Sequence, residues 1–171
     1  MGNEHQNPGT HHPANKPAHT RPAPDNKNFT AAEKIVNDYS LIAGAASVIP
    51  VPFVDYAAIT AVQMKMVHSI GKIYGKSLTD HFVKSTIGSI VGGSLATATG
   101  KGIGLRIARS IPFVGGLASI LVLPAMAAAS TYALGKAFII EFESGGHLMD
   151  LDASAMKATY EENYKNKLAH S

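Results

Sequence analysis

Residues 110–135 read SIPFVGGLASILVLPAMAAASTYALG, 26 positions without a charged side chain. As one continuous helix they would extend roughly 39 Å at 1.5 Å per residue. A bilayer core about 30 Å thick needs about 20 such residues. Pro112, Gly115, Gly116 and Pro124 interrupt the run. Ahead of it stand residues 85–100, 16 positions of which ten are Gly, Ser or Thr. That segment is too short and too polar for a span. The two together predict a helical hairpin over 85–135 that dips into one leaflet rather than crossing twice. The alternative is a pair of buried helices in a soluble bundle.

The flanking sequence is helical on both sides. Thr30 with Glu33 three residues on reads as a capping box, and Ile35, Val36, Tyr39, Ile42 and Ala43 keep helical spacing to about Val48. Pro50 and Pro52 end that helix, because each lacks an amide donor and clashes with the preceding turn. Asp55 is the expected N-cap of a second helix, and Gly75 its expected stop. The apolar face of this helix carries Ile59, Val62, Met66, Ile70 and Ile73. Lys65, His68, Lys72 and Lys76 line the other face at spacings of three or four, a cationic amphipathic pattern. With Arg106 and Arg109 they form the expected membrane-headgroup stripe.

Ser77 and Asp80 are the expected cap of a third helix, from about Leu78 to Thr99. Gly88, Gly92, Ala96 and Gly100 recur along it every four positions, beside a second row of Ser85, Ser89, Gly93 and Thr97. Small residues at this spacing let helix backbones approach closely. Each Gly costs roughly 0.8–1 kcal/mol of helix propensity relative to Ala, so tight packing or lipid must offset it. Gly88, Gly92, Ala96 and Gly100 are thus the expected helix-packing ridge. Further on, the helix through Phe138, Ile140 and Phe142 is expected to stop at Gly145-Gly146. Asp152 then caps a last helix whose stripe is Met156, Tyr160, Tyr164 and Leu168. Ala46 to Pro50 and Ala108 to Pro112 share a pattern, and Gly75-Lys76 recurs as Gly135-Lys136, which reads as two related hairpins.

Composition narrows the function classes. The 171-residue chain has 16% charged residues and a net charge of +3, against a usual charged share of about 25%. No acid occurs between Asp80 and Glu141, a gap of 60 residues holding Lys84, Lys101, Arg106, Arg109 and Lys136. A cationic, apolar middle favours an anionic partner, and among these a phospholipid face. The basic residues lack interleaved exposed aromatics, so nucleic acid is not the expected partner. Without Cys there is no disulfide scaffold, Cys-based zinc site or thiol nucleophile, which suits a reducing compartment.

Residues 1–29 are expected to be a disordered tail: its first 28 positions hold no Leu, Ile, Val or Phe but five Pro and four His. Metal binding by those irregularly spaced histidines is expected to be adventitious. No secretory signal is visible, and Gln6 spoils a myristoylation motif. The expected division is 1–29 tail, 30–147 helical membrane-associated domain, and 148–171 amphipathic helix and tail.

Catalytic motifs fail one by one. Gly100-Lys101 is preceded five positions earlier by Leu95 and followed by Gly102, so the phosphate loop is absent. Gly100, Gly102 and Gly104 lack the strand that a dinucleotide fingerprint requires. Asp38, Asp55 and Asp80 form no spaced carboxylate pair, and His68, His81 and His147 no metal pair. No Ser stands in a G-x-S-x-G elbow. The expectation is a non-enzyme without cofactor.

The blocks Ile49-Pro50-Val51-Pro52-Phe53-Val54-Asp55, Gln63-Met64 and Ile73-Tyr74-Gly75 resemble the YcjF/GTPase C-terminal-like family of unknown function. So do Ile111-Pro112-Phe113-Val114-Gly115, the run Thr131–Lys136, and Phe142-Glu143-Ser144-Gly145-Gly146 with Asp150 and Tyr160. The likeness covers about residues 33–165. It implies a bacterial, helical, membrane-associated module, often attached to an Era-like or dynamin-like GTPase. Here a tail stands where the GTPase would be, so a GTPase partner would be a separate chain.

Two functions follow as expectations. One is a membrane-associated helical protein that self-assembles or binds and remodels an anionic bilayer at the cytoplasmic face of a bacterial membrane. The other is a soluble oligomeric scaffold or adaptor in the cytoplasm that buries the same hairpin in protein contacts. The expected architecture in both is all-α, helical hairpins in a compact bundle.

Overall fold

The 27-residue helix Leu117–Glu143 organises the molecule. In the computed structural model, which describes residues 26–47, 54–94, 117–145 and 151–170, it is the fourth of five α-helices. We label them α1 (Asn26–Ala46), α2 (Val54–Ile73), α3 (Asp80–Ile87), α4 (Leu117–Glu143) and α5 (Ala153–Ala169). One π-helical turn, Gly88–Gly92, continues α3. Among the described residues there is no strand. The expected all-α bundle is what the chain forms.

α1, α2 and α5 all pack on α4. The core they enclose includes Val36 from α1, Met66, Val67 and Ile70 from α2, and Leu134, Phe138 and Ile139 from α4. Val83, Ile87 and Ile90 carry it into α3 and the π turn, and Met156 and Tyr160 into α5. The spacing of four between Met156 and Tyr160 follows from one face of α5 meeting α4. Burying a side chain the size of Leu, Ile, Phe or Met contributes about 1.5–3 kcal/mol. The interior therefore outweighs the weak helix propensity of individual segments.

Helix boundaries show where packing overrode local signals. α1 begins at Asn26, ahead of the expected cap Thr30. Phe29 packs on the core edge, and the Lys136 ammonium lies 5.3 Å from its ring centroid, so the helix is held one turn further back. Glu33 does not close a capping box; its carboxylate pairs with Lys136. α2 opens at Val54, so Asp55 stands in the first turn rather than at the cap. For α3 the N-cap is Thr79, not Ser77: its hydroxyl accepts from the Phe82 amide at 3.3 Å.

The expected stops at Gly75 and Gly145 hold. At Gly75, φ is +64°, a conformation glycine adopts without Cβ strain. Its amide donates to the Lys72 carbonyl at 3.2 Å and the Lys76 amide to the Gly71 carbonyl at 2.7 Å, which is the Schellman arrangement. Asp152 caps α5 as expected, accepting from the Ser154 and Ala155 amides at 2.9 and 3.0 Å.

The internal repeat does not survive at its glycines. Gly75 ends a helix, whereas Gly135 is buried in the middle of α4. There α1 and α2 press on the α4 backbone: a Cβ would stand 2.9 Å from Val36 Cγ1 and 3.2 Å from Met66 Sδ. The two Gly-Lys pairs share a sequence and no structural role.

Candidate functional site

α2 presents the expected basic stripe only in part. Lys65 and Lys72 are exposed on its outer face. His68, between them, is turned toward α3, where Asp80 Oδ1 lies 2.9 Å from its Nε2. That nitrogen is buried and lacks hydrogen-bond alignment with any partner, so the contact is an electrostatic one when the ring carries charge. Lys76 lies past the end of α2 and is half-buried. Arg106 and Arg109 fall outside the described residues, as do Ala96 and Gly100 of the ridge. Gly88 and Gly92 are exposed, and a Cβ on either would meet nothing within 4 Å. Their open sides meet no other helix among the described residues, although the turn as a whole packs on α5; it is Gly93 of the second row whose Cβ position lies near the Lys157 side chain of α5.

Between α2 and α3 runs an open groove of about 540 Å³. Ala57, Thr60, Ala61 and Met64 line one side, and Asp80, His81 and Lys84 the other. Its floor is apolar and its rim carries both signs of charge. No three His, Asp or Glu side chains converge to hold a metal among the described residues.

The interior polar groups tie helices together. Gln63 Nε2 donates to Ser130 Oγ at 3.3 Å and to Thr131 Oγ1 at 3.4 Å. Ser130 Oγ in turn lies 2.9 Å from the Tyr160 hydroxyl. This polar layer joins α2, α4 and α5, and its members satisfy one another as buried polar groups must. Near the α4 C-terminus, the Tyr74 hydroxyl donates to Glu143 Oε1 at 2.5 Å. Sequence reading missed this layer, since Gln63 entered only as part of the Gln63-Met64 block of the family resemblance. The available signal was a lone amide inside α2 together with Ser130-Thr131 inside a run of 26 uncharged residues.

Burial also perturbs titrating groups within this layer and further along α4 and α5. It pushes the Tyr160 hydroxyl up to about 12, the Ser130 hydrogen bond offsetting part of the rise. Burial likewise raises Tyr164. Glu141 is raised by burial first, with the Asp152 amide acting against it and the Asp152 charge with it.

Tyr160 predicts an alkaline weakness. Between pH 10 and 12 the unfolded chain releases this proton while the folded chain keeps it, so stability falls as pH rises. Between pH 9 and pH 11 the expected loss is about 1 kcal/mol, roughly half of what the whole shift carries. Urea unfolding at pH 9 and pH 11 measures it. Tyr160→Phe should lose less stability over that interval than the parent, and equal losses would contradict the assignment.

The apolar surface gathers at one end. Leu41 is 73% exposed, Ile42 49% and Leu123 60%. α1 and α4 meet nearby, where a Cβ on Gly44 would lie 3.3 Å from the Pro124 carbonyl oxygen. Leu123–Glu143 is the helical stretch, among the described residues, long and apolar enough to cross a membrane, and half of its apolar length is buried inside the bundle.

The chain matches the family described as "Domain of unknown function (DUF697)" over residues 25–168. It is 35% identical over 150 residues to "Magnetosome membrane protein 22" of Magnetospirillum gryphiswaldense, a match covering 87% of this chain and 77% of that protein. No solved structure matches it.

Proposed function

The chain belongs to the DUF697 family of unknown function, and we propose that it is a non-catalytic, membrane-associated helical protein that binds an anionic bilayer. The observation that carries this reading is α4. It runs without charge from Leu117 to Gly135, and Leu123, well before its buried half, is exposed. A relative named as a magnetosome membrane protein supports the same setting. Lys65 and Lys72 supply exposed positive charge, and a Lys or Arg near an anionic leaflet contributes about 1 kcal/mol.

The outer faces of α1 and α5 expose Lys34, Asn37, Asp38, Glu162, Lys165 and Asn166. These belong in water, which favours attachment of a folded bundle over immersion of all its helices. The cytoplasmic face of a bacterial membrane is the proposed location. Self-assembly draws support from the open surface at Gly88 and Gly92; a GTPase acting from another chain draws it from the family resemblance alone.

Co-sedimentation with vesicles tests the reading. The full chain should pellet with vesicles containing phosphatidylglycerol and less with purely zwitterionic ones. Lys65→Glu combined with Lys72→Glu should weaken that binding by about tenfold or more. Unchanged binding would remove the electrostatic component. Recovery of all the protein from the supernatant, at one defined oligomeric mass, would replace the membrane reading with the soluble scaffold.

A further inference from the structure

Resting on that reading, we infer that the bundle docks through one corner, the C-terminal turns of α1 and the N-terminal half of α4, with Leu41, Ile42 and Leu123 entering the acyl region of an anionic bilayer. The register of the helices places the charges. Val36 lies against Gly135, Glu33 pairs with Lys136, and Gly44 lies beside Pro124, so α1 runs antiparallel to α4. Gln63 meets Ser130 and Tyr74 meets Glu143, so α2 runs parallel to it.

A level drawn through Ser40, Gln63 and Ser130 divides α1, α2 and α4. On one side stand Lys27, Glu33, Lys34 and Asp38 of α1, Lys65 and Lys72 of α2, and Lys136, Glu141 and Glu143 of α4. On the other side α1 has no charge through Ala46, and α4 has none back to Leu117; the charges there belong to other helices, Lys84 of α3 beside Ala57 and Thr60 and Glu161 to Lys167 of α5 past the Tyr160–Ser130 contact. Three of the four exposed large apolar side chains among the described residues, Leu41, Ile42 and Leu123, fall on the uncharged side. Isolated exposed leucines are ordinary on a protein surface; their segregation with the uncharged helix ends is not.

The boundary carries the side chains a membrane surface selects. Tyr39 and Tyr132 are half-buried near the dividing level, and the Lys167 ammonium lies 4.8 Å from the Tyr132 ring centroid. After Glu162, α5 carries only basic charges, Lys165 and Lys167. Asp55, in the first turn of α2, is the acid on the uncharged side of α2. Lys65 lies closer to the dividing level than Lys72, seven residues further along α2, and its reversal should weaken binding more.

The chain has no Cys, so single labels can be placed cleanly. Leu41→Cys, Leu123→Cys, Lys34→Cys and Ile140→Cys, each with an environment-sensitive fluorophore, would be mixed with phosphatidylglycerol vesicles containing acyl-brominated quencher lipid. Ile140 is 43% exposed and lies on the charged side, so it controls for apolar surface in general. The expected result is a blue shift and quenching at positions 41 and 123, with 34 and 140 remaining water-like. Leu41→Asp should weaken vesicle partitioning by about tenfold or more, with the thermal midpoint retained because the site is exposed.

If the protein pellets with vesicles while labels 41 and 123 stay in water, this docking corner is overturned and the membrane reading stands. Labels already shielded in lipid-free protein, at twice the monomer mass, would assign the corner to a second copy and overturn the proposal. Absence of pelleting with any vesicle would remove the reading on which the proposal rests.

Discussion

Truncating Phe138 to alanine is expected to lower the unfolding free energy by about 3–5 kcal/mol. Phe138 is fully buried, and its ring lies 5.8 Å from that of Phe142 at 59°. The substitution removes both the transfer of the ring from water and its dispersion contacts. α1, α2 and α5 are each held along the length of α4, so the space left behind has little means of closing. A loss of this size takes a large part of the 5–15 kcal/mol that holds a typical domain. Urea unfolding followed by far-ultraviolet circular dichroism measures it. Phe138→Leu should lose much less, and equal losses from the two changes would place the effect outside the cavity.

Adding volume at Gly135 should be nearly as damaging. Gly135→Val is expected to cost about 3 kcal/mol, the upper end of ordinary overpacking. The first added carbon already crowds both methyls of Val36, and a β-branched valine has little rotational freedom to yield in a helix. Gly135→Ala should cost less, since alanine regains up to about 1 kcal/mol of helix propensity. Pairing Gly135→Ala with Val36→Ala provides the decisive comparison. The double variant should be more stable than the sum of the single effects predicts, by about 1 kcal/mol or more. Strict additivity would mean that α1 does not press on α4 here.

Features read from adjacent residues were legible in the sequence. Asp152 lies just ahead of its helix, Gly75 and Gly145 just after theirs, and the Met156–Tyr160 spacing reports the buried side of α5. Each is settled within about two turns of chain. The start of α1 was misread because Phe29 and Glu33 answer to Lys136, 103 residues beyond Glu33. The same holds for His68, whose neighbour Asp80 belongs to the next helix. Helical spacing placed it among lysines, and only the α2–α3 crossing turns it inward.

The candidate site was legible to a lesser degree. Charge distribution singled out Lys65 and Lys72, and both are exposed. The uncharged run around α4 was evident too, but its hydropathy alone could not separate the half enclosed by α1, α2 and α5 from the end bearing exposed Leu123. That distinction depends on which neighbours cover which turns. The Gln63–Ser130–Tyr160 layer was hidden for the same reason, since its three parts lie far apart in sequence and become one feature only after helices pair.

The long separation between α1 and its partner helix also sets an order of events during synthesis. Val36 meets Gly135, so the ribosome adds roughly 100 residues between making one side of that contact and the other. At about 5–20 residues per second, α1 waits some 5–20 s without the surface that buries it. The apolar start of α4 leaves the ribosome before the half of α4 that completes the bundle. A nascent chain synthesised beside a bilayer can therefore meet lipid with its uncharged segment before its helices have closed on one another.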